Sequence, residues 1–231
     1  MNSTSWRLTG RTLALIVVGA TLPGLTACSS MSNTGRGAVI GAAAGGAVGA
    51  ATGAAAGSTA KGAIIGAAVG GAAGAIIGSQ MDDAAEELER DLENAKVERV
   101  GEGIQITFDS GILFEFDSSE LKDAARANLG ELSQSLNEYE NYDVLVVGHT
   151  DSRGSDDYNL SLSRRRAQAA ATYLQSRGIA TDRIHVEGLG ETEPVASNET
   201  DAGRQLNRRV EVAIYASEEY REQLQARHGG G

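Results

Sequence analysis

Between Gly37 and Gly78 a glycine recurs at every fourth position in two series: Gly37, Gly41, Gly45, Gly49, Gly53 and Gly57, then Gly62, Gly66, Gly70, Gly74 and Gly78. A four-residue step runs along one slowly drifting stripe of an α-helix, and a flexible linker has no reason to hold that register. Arg36-Gly37-Ala38-Val39-Ile40-Gly41 is answered 25 positions later by Lys61-Gly62-Ala63-Ile64-Ile65-Gly66, with Ser58-Thr59-Ala60-Lys61 as a tight connection between the series. This internal repeat predicts a glycine-zipper helical hairpin over residues 35–80.

Glycine is a poor helix former in water, and eleven of them would cost about 10 kcal/mol relative to alanine unless close backbone packing compensates. As helices the two arms would be about 31 and 26 Å long, near the thickness of a hydrocarbon core. A membrane-embedded hairpin is therefore the first expectation. A soluble zipper-driven oligomer and an Ala/Gly spacer stay open, because Ala and Gly are only weakly lipophilic. The arms contain no acidic residue, which argues against an ion pathway.

Charge divides the chain at the same place. All 31 acidic residues follow Met81, and only Arg7, Arg11, Arg36 and Lys61 carry charge before it. Residues 82–231 hold 16 Lys and Arg against 31 Asp and Glu, a net charge of −15, which excludes nucleic acid as the default partner. A single Cys excludes an intrachain disulfide, no Cys/His cluster has zinc spacing, and no cofactor is called for.

Residues 1–27 begin with Arg7 and Arg11, continue through Leu13-Ala14-Leu15-Ile16-Val17-Val18 and end in small residues, the pattern of a secretory signal peptide. Leu25-Thr26-Ala27-Cys28 resembles the bacterial lipobox. The resemblance implies acylation of Cys28 and an acylated N-terminus over residues 28–34, with enough acyl chains for stable anchoring. Ser29 resembles the outer-membrane sorting pattern, and inner-membrane retention stays open.

Over residues 81–102 the chain predicts a charged linker helix. Met81, Ala85, Leu88, Leu92 and Ala95 form a seam suited to a short coiled coil or to a helix leaning on its neighbour. Residues 103–217 then mix periods. Ile104, Ile106 and Phe108 alternate as a strand, Gly111–Phe116 is a second short strand, and Leu121–Leu136 is a helix. Val144–Val147 is a central strand, Tyr158–Arg177 a helix stopped by Gly178, and Ile184–Gly188 and Val210–Ile214 are further strands. Helices recurring between strands predict an α/β (α+β) sandwich of a small mixed sheet with helices. Residues 218–231 read as a polar tail that frays.

The densest polar cluster follows the predicted central strand. Gly148-His149-Thr150-Asp151 places a carboxylate just past a strand end, and Asn159, Leu162 and Arg166 share one face of the next helix. From spacing alone, Asp151 and Arg166 either receive a ligand or pair with each other. Ile112-Leu113-Phe114-Glu115-Phe116-Asp117-Ser118, Gly148-His149-Thr150-Asp151, Asn159-x-x-Leu162-Ser163-x-x-Arg166-Ala167, Gly188-x-Gly190 and Asn207-Arg208-Arg209-Val210-Glu211 together resemble the OmpA C-terminal-like peptidoglycan-binding domain. With the lipobox and zipper before it, the chain is similar to OmpA-family lipoproteins.

The resemblance implies binding of the peptidoglycan stem peptide through meso-diaminopimelate, with Asp151 accepting from its ammonium and Arg166 gripping its carboxylate. Asn159 and Leu162 would line the same wall, and Asp117, Ser118 and Arg208 the rim. It also implies an envelope tether with its OmpA-like domain in the periplasm and no enzymatic activity. Two alternatives remain: a zipper-driven membrane-organising homo-oligomer that peptidoglycan merely positions, and a cell-wall hydrolase using His149, Asp151 and His185.

Overall fold

The computed structural model describes residues 58–115 and 117–228. The signal peptide, Cys28 with the acylated N-terminus, the first zipper arm over Gly37–Gly57, Phe116 and the last three glycines lie outside the described residues. The described chain has seven α-helices and five strands: α1 Thr59–Gly66, α2 Gly71–Asp91, β1 Ala95–Val100, β2 Gly103–Asp109, α3 Ser110–Leu113, α4 Asp123–Glu138, β3 Tyr142–Gly148, α5 Asp156–Ser176, β4 Ile184–Gly188, α6 Asp201–Asn207, β5 Arg209–Ala216 and α7 Glu218–His228.

One mixed sheet organises them, in the order β1-β2-β5-β3-β4, with β3 and β4 parallel and every other pair antiparallel. Strand alternation sends two sets of side chains to two faces. Ile104, Ile106, Phe108, Val144, Val146, Val210, Val212 and Ile214 enter the main core beneath α2, α4, α5 and α7. Leu145, Val147, Ala213 and Tyr215 point the other way and are covered by Ala60, Ala63, Ile64 and Ala67, from α1 and the residue that closes it. Val144–Val147 is apolar throughout because both faces of β3 are covered.

This arrangement corrects the zipper expectation for its second arm. Gly62–Gly78 is not one helix: α1 ends at Gly66 and α2 starts at Gly71, with Gly70 and Gly71 at φ 67° and 62° between them. Positive φ is open to glycine, which has no Cβ to collide with the following carbonyl. The Glu102 carboxylate fastens the break by accepting from the Val69 and Gly70 N–H groups at 2.8 and 2.7 Å. Among the described residues no helix is long and apolar enough to cross a membrane. Nor is Ser58–Lys61 a tight connection, since Ser58 is the N-cap of α1 and Thr59 begins it.

Three further expectations change. The linker helix expected over 81–102 stops at Asp91, Asn94 turns at φ 56°, and Ala95–Val100 becomes the edge strand β1. Its Met81, Ala85, Leu88 and Leu92 seam is buried in the main core, so the helix leans on its own domain. In place of the second short strand, the described residues 111–115 hold the rest of the single turn α3 and one isolated bridge, Phe114 with Leu121, because Asp109 accepts from the Gly111 N–H and caps a helical turn there. The expected fraying tail is α7 as far as His228. Arg221 and Leu224 are buried, and the Tyr220 ring meets that of Tyr142 edge-on at 5.8 Å.

Candidate functional site

Gly148 closes β3, and a Cβ built on it would lie 2.1 Å from the Ser163 carbonyl oxygen of α5. Any larger residue would push the helix away. This close approach aligns the strand end with the α5 face that carries Asn159, Leu162 and Arg166. Past Gly148 the backbone is locked by the His149 N–H to the Arg209 carbonyl and the Thr150 N–H to the Gly190 carbonyl, at 2.9 and 2.8 Å. Ser155 caps α5 by accepting from the Tyr158 N–H, and Asp156 and Asp157 occupy its first turn, where negative charge is favourable.

These elements frame a cavity of about 630 Å³. Asp117, Asp151, Asn159, Leu162, Arg166 and Arg208 all line it. Ser118 does not; it contributes its carbonyl, which accepts from Arg166 Nε at 2.8 Å. Asn159 donates to the Asp151 carbonyl at 3.2 Å and to the Glu191 carboxylate at 2.6 Å, so its amide holds the loop as well as the wall.

Asp151 and Arg166 do not pair with each other. Asp151 Oδ1 accepts from the Arg153 N–H at 3.0 Å, and Oδ2 accepts from Arg208 Nη1 at 2.5 Å. Arg166 is 6% exposed. Besides Ser118, its guanidinium donates to Ser110 Oγ at 3.3 Å and reaches the Glu115 carbonyl at 3.5 Å, while its Cζ sits 5.3 Å from the centre of the Phe114 ring. Burial pulls the Arg166 pKa down, Asp117 and Asp151 pull it up, and Arg208 and Arg165 oppose them. An arginine stays charged through such shifts. The site is thus a fixed cation beside a carboxylate that already has a counter-ion.

Sequence spacing had missed Phe114, Thr150, Arg153 and Tyr158, which also line the cavity. Thr150 Oγ1 is buried there with no hydrogen-bond partner among the described residues. Its signals were its place beside Asp151 and within the Gly148–Asp151 motif, and strand alternation does not say which way a residue beyond the strand end points. Asp117 adopts φ 57°, a left-handed conformation that Asp tolerates better than most residues.

The residues of the hydrolase alternative do not converge. Neither His149 nor His185 lines the cavity. His185 is half exposed on β4, its Nε2 4.0 Å from the Asp143 carboxylate, which raises its pKa. His149 is buried near Arg209 and Glu211, and desolvation with help from Arg209 lowers its pKa to about 3. It is therefore neutral, and its 3.8 Å approach to Glu211 is not an ion pair.

His149 makes stability depend on pH. Its folded pKa lies below its unfolded value of 6.5, so the unfolded chain binds the extra proton and stability falls as pH drops from 6.5 toward 3, by up to about 1.4 kcal/mol per pH unit. Glu193 and His185, both shifted upward, act in the opposite sense, and Glu211, shifted downward, acts only below its usual range. Urea midpoints at pH 7 and 5 should therefore differ more for the wild type than for His149→Leu. Equal differences would show that His149 titrates normally.

Comparison with known proteins places these features. Residues 113–208 match the OmpA family, and residues 8–82 match the YMGG-like Gly-zipper family. The chain is similar to Outer membrane protein A of Bordetella avium, 42% identical over 113 residues, covering 49% of this chain and 58% of that protein. It is similar to Probable lipoprotein YiaD of Escherichia coli strain K12, 38% identical over 118 residues, covering 51% of this chain and 54% of that one. The chain thus spans little more than half the length of these curated relatives. Among solved structures it resembles the cell wall anchor of the T6SS from Pseudomonas aeruginosa, with 30% identity and a TM-score of 0.51 over 61% of this chain and 97% of that one.

Proposed function

We propose, from the match of residues 113–208 to the OmpA family, that this chain is a lipid-anchored envelope protein whose folded domain tethers a membrane to peptidoglycan without catalysis. The observation that carries the reading is one cavity holding both a carboxylate and a buried, rigidly held guanidinium, Asp151 and Arg166. A side-chain end bearing an ammonium and a carboxylate, as in meso-diaminopimelate of the stem peptide, meets opposite charges there. Asp151 accepts from the ammonium, and Arg166 donates to the carboxylate with the N–H groups its protein partners leave free. Leu162 supplies an apolar wall, and Thr150 a hydroxyl. The relatives named as an outer membrane protein and a probable lipoprotein support an envelope location, with Cys28 in the outer membrane and the domain in the periplasm. The cell wall anchor supports the partner.

The zipper-driven oligomer is the weaker reading. In the second repeat Ala63, Ile64 and Ala67 pack on the protein's own sheet, so that stretch of small residues is already covered. Pull-down with purified sacculi tests the tether. Asp151→Asn should reduce the bound fraction at least ten-fold. Arg166→Lys, which keeps the charge but loses the planar fork, should reduce it several-fold. Binding unchanged in both variants would sink the proposal.

A further inference from the structure

We propose that Arg208 is the residue by which this site selects a zwitterionic side-chain end over a simple amine. The inference rests on the reading of the cavity as a stem-peptide site and assigns Arg208 a role beyond lining it. Arg208 Nη1 donates to Asp151 Oδ2 at 2.5 Å, and the Arg208 side chain is 38% exposed against 9% for Asp151. Arg208 therefore holds the position that an incoming ammonium needs.

The two arginines differ in what binds them. Arg166 is buried, held by Ser118 and Ser110 and stacked on Phe114, so it stays in place when a ligand arrives. The Arg208 guanidinium has Asp151 as its one ion-pair partner among the described residues, on a flexible stem that reaches solvent. It can swing away. Arg208 also opposes the charge of Arg166, so both cations act on the same space.

An amine without a carboxylate must displace Arg208 from Asp151, its one ion-pair partner among the described residues, and leaves it beside Arg166. Three cations then face Asp151 and Asp117, the two carboxylates that act on Arg166, and like charges at close range in a partly desolvated cavity are unfavourable. A zwitterionic end brings its own carboxylate, which Arg166 and the released Arg208 can share. The ligand thus exchanges one internal ion pair for two new ones, and discrimination comes from the partner that a simple amine fails to replace.

The test uses the full-length protein in detergent and two stem tetrapeptides ending in D-alanine, one with meso-diaminopimelate and one with lysine at the third position, which differ by a single carboxylate. Binding is measured by calorimetry for the wild type, Arg208→Ala, Arg208→Gln and Asp151→Asn. The wild type should prefer the diaminopimelate peptide at least ten-fold. Both Arg208 variants should bind the lysine peptide several-fold tighter than the wild type does, and the preference should shrink to about three-fold or less. An unchanged preference, or equal weakening for both peptides, overturns the role of Arg208 while leaving the site intact. If the wild type binds neither peptide, or Asp151→Asn binds both as the wild type does, the reading of the site itself fails and this inference with it.

Discussion

Ile64→Asp should destabilise the full-length protein by about 3–5 kcal/mol, whereas Ile65→Asp should cost about 1 kcal/mol or less. The two residues are neighbours in the second glycine repeat, and a lipid-embedded zipper would treat them alike. In the folded chain they differ. Ile64 is 1% exposed in the small core with Leu145, Val147, Ala213 and Tyr215, whereas Ile65 is only half-buried. A Cβ on Gly103 would fall 2.6 Å from Ile64 Cγ2, so glycine at that strand position makes room for this side chain. Aspartate at 64 removes the apolar burial and leaves a carboxylate against the sheet, and the loss is capped where α1 lets go. Urea unfolding and proteolysis between residues 58 and 70 would both report it. Equal effects at positions 64 and 65 would mean that α1 does not belong to the folded domain.

Glu211→Ala should cost a similar amount, about 3–5 kcal/mol, by stranding a buried cation. Glu211 pairs with Arg209 Nε at 2.7 Å, and both side chains are almost fully buried. Its other oxygen accepts from Ser58 Oγ at 2.7 Å, so the same carboxylate joins β5 to the start of α1. Burial pushes the Glu211 carboxyl up, whereas the charge of His149 when protonated, the Arg209 guanidinium and the hydrogen bond from Ser58 pull it down. Without Glu211, Arg209 keeps the Glu193 and Asn207 carbonyls as partners, and Nη2 has no partner among the described residues even in the wild type. Adding Arg209→Met to Glu211→Ala should recover most of the loss, because an apolar pair of similar volume removes the stranded charge. Thermal melts of the two single variants and the double variant would settle the coupling, and a single-variant cost below about 1 kcal/mol would refute it.

Both effects arise on the sheet face that α1 covers. Glu193 adds to the same seam by accepting from the Thr59 N–H and hydroxyl at 3.1 and 2.6 Å. Together these carboxylates occupy the N-terminus of α1, where negative charge is favourable.

Much of the remaining fold was legible because its signals are local. The alternation of Ile104, Ile106 and Phe108, the apolar run Val144–Val147 and the α5 face carrying Asn159, Leu162 and Arg166 each became the expected element. The edge strand β1 was not legible. Ala95–Val100 carries Lys96, Glu98 and Arg99 among few apolar residues, and its pairing with β2 comes from the turn at Gly101 rather than from its own pattern. Helix α7 was missed because its polar surface hides only two buried side chains, Arg221 and Leu224.

At the site, sequence placed Asp151 and Arg166 on adjoining elements but left their pairing open. Asp151 finds its partner 57 positions away in Arg208, and Arg166 is satisfied by Ser110 and Ser118. Charge and spacing within one segment carry no information about a competitor from another.

By itself, the sequence determined that the glycines follow a helical period and that a carboxylate and a guanidinium leave a central strand and the next helix together, because periodicity and chain direction are properties of neighbouring residues. Only the tertiary structure decided that the second glycine repeat breaks at Gly70 and lies on the protein's own sheet. That choice depends on Glu102, Glu193 and Glu211 meeting backbone and hydroxyl groups from far along the chain, as Ser58 meets Glu211 across 153 positions. A small-residue helix packs wherever a matching surface exists, and here the fold of the domain supplied one.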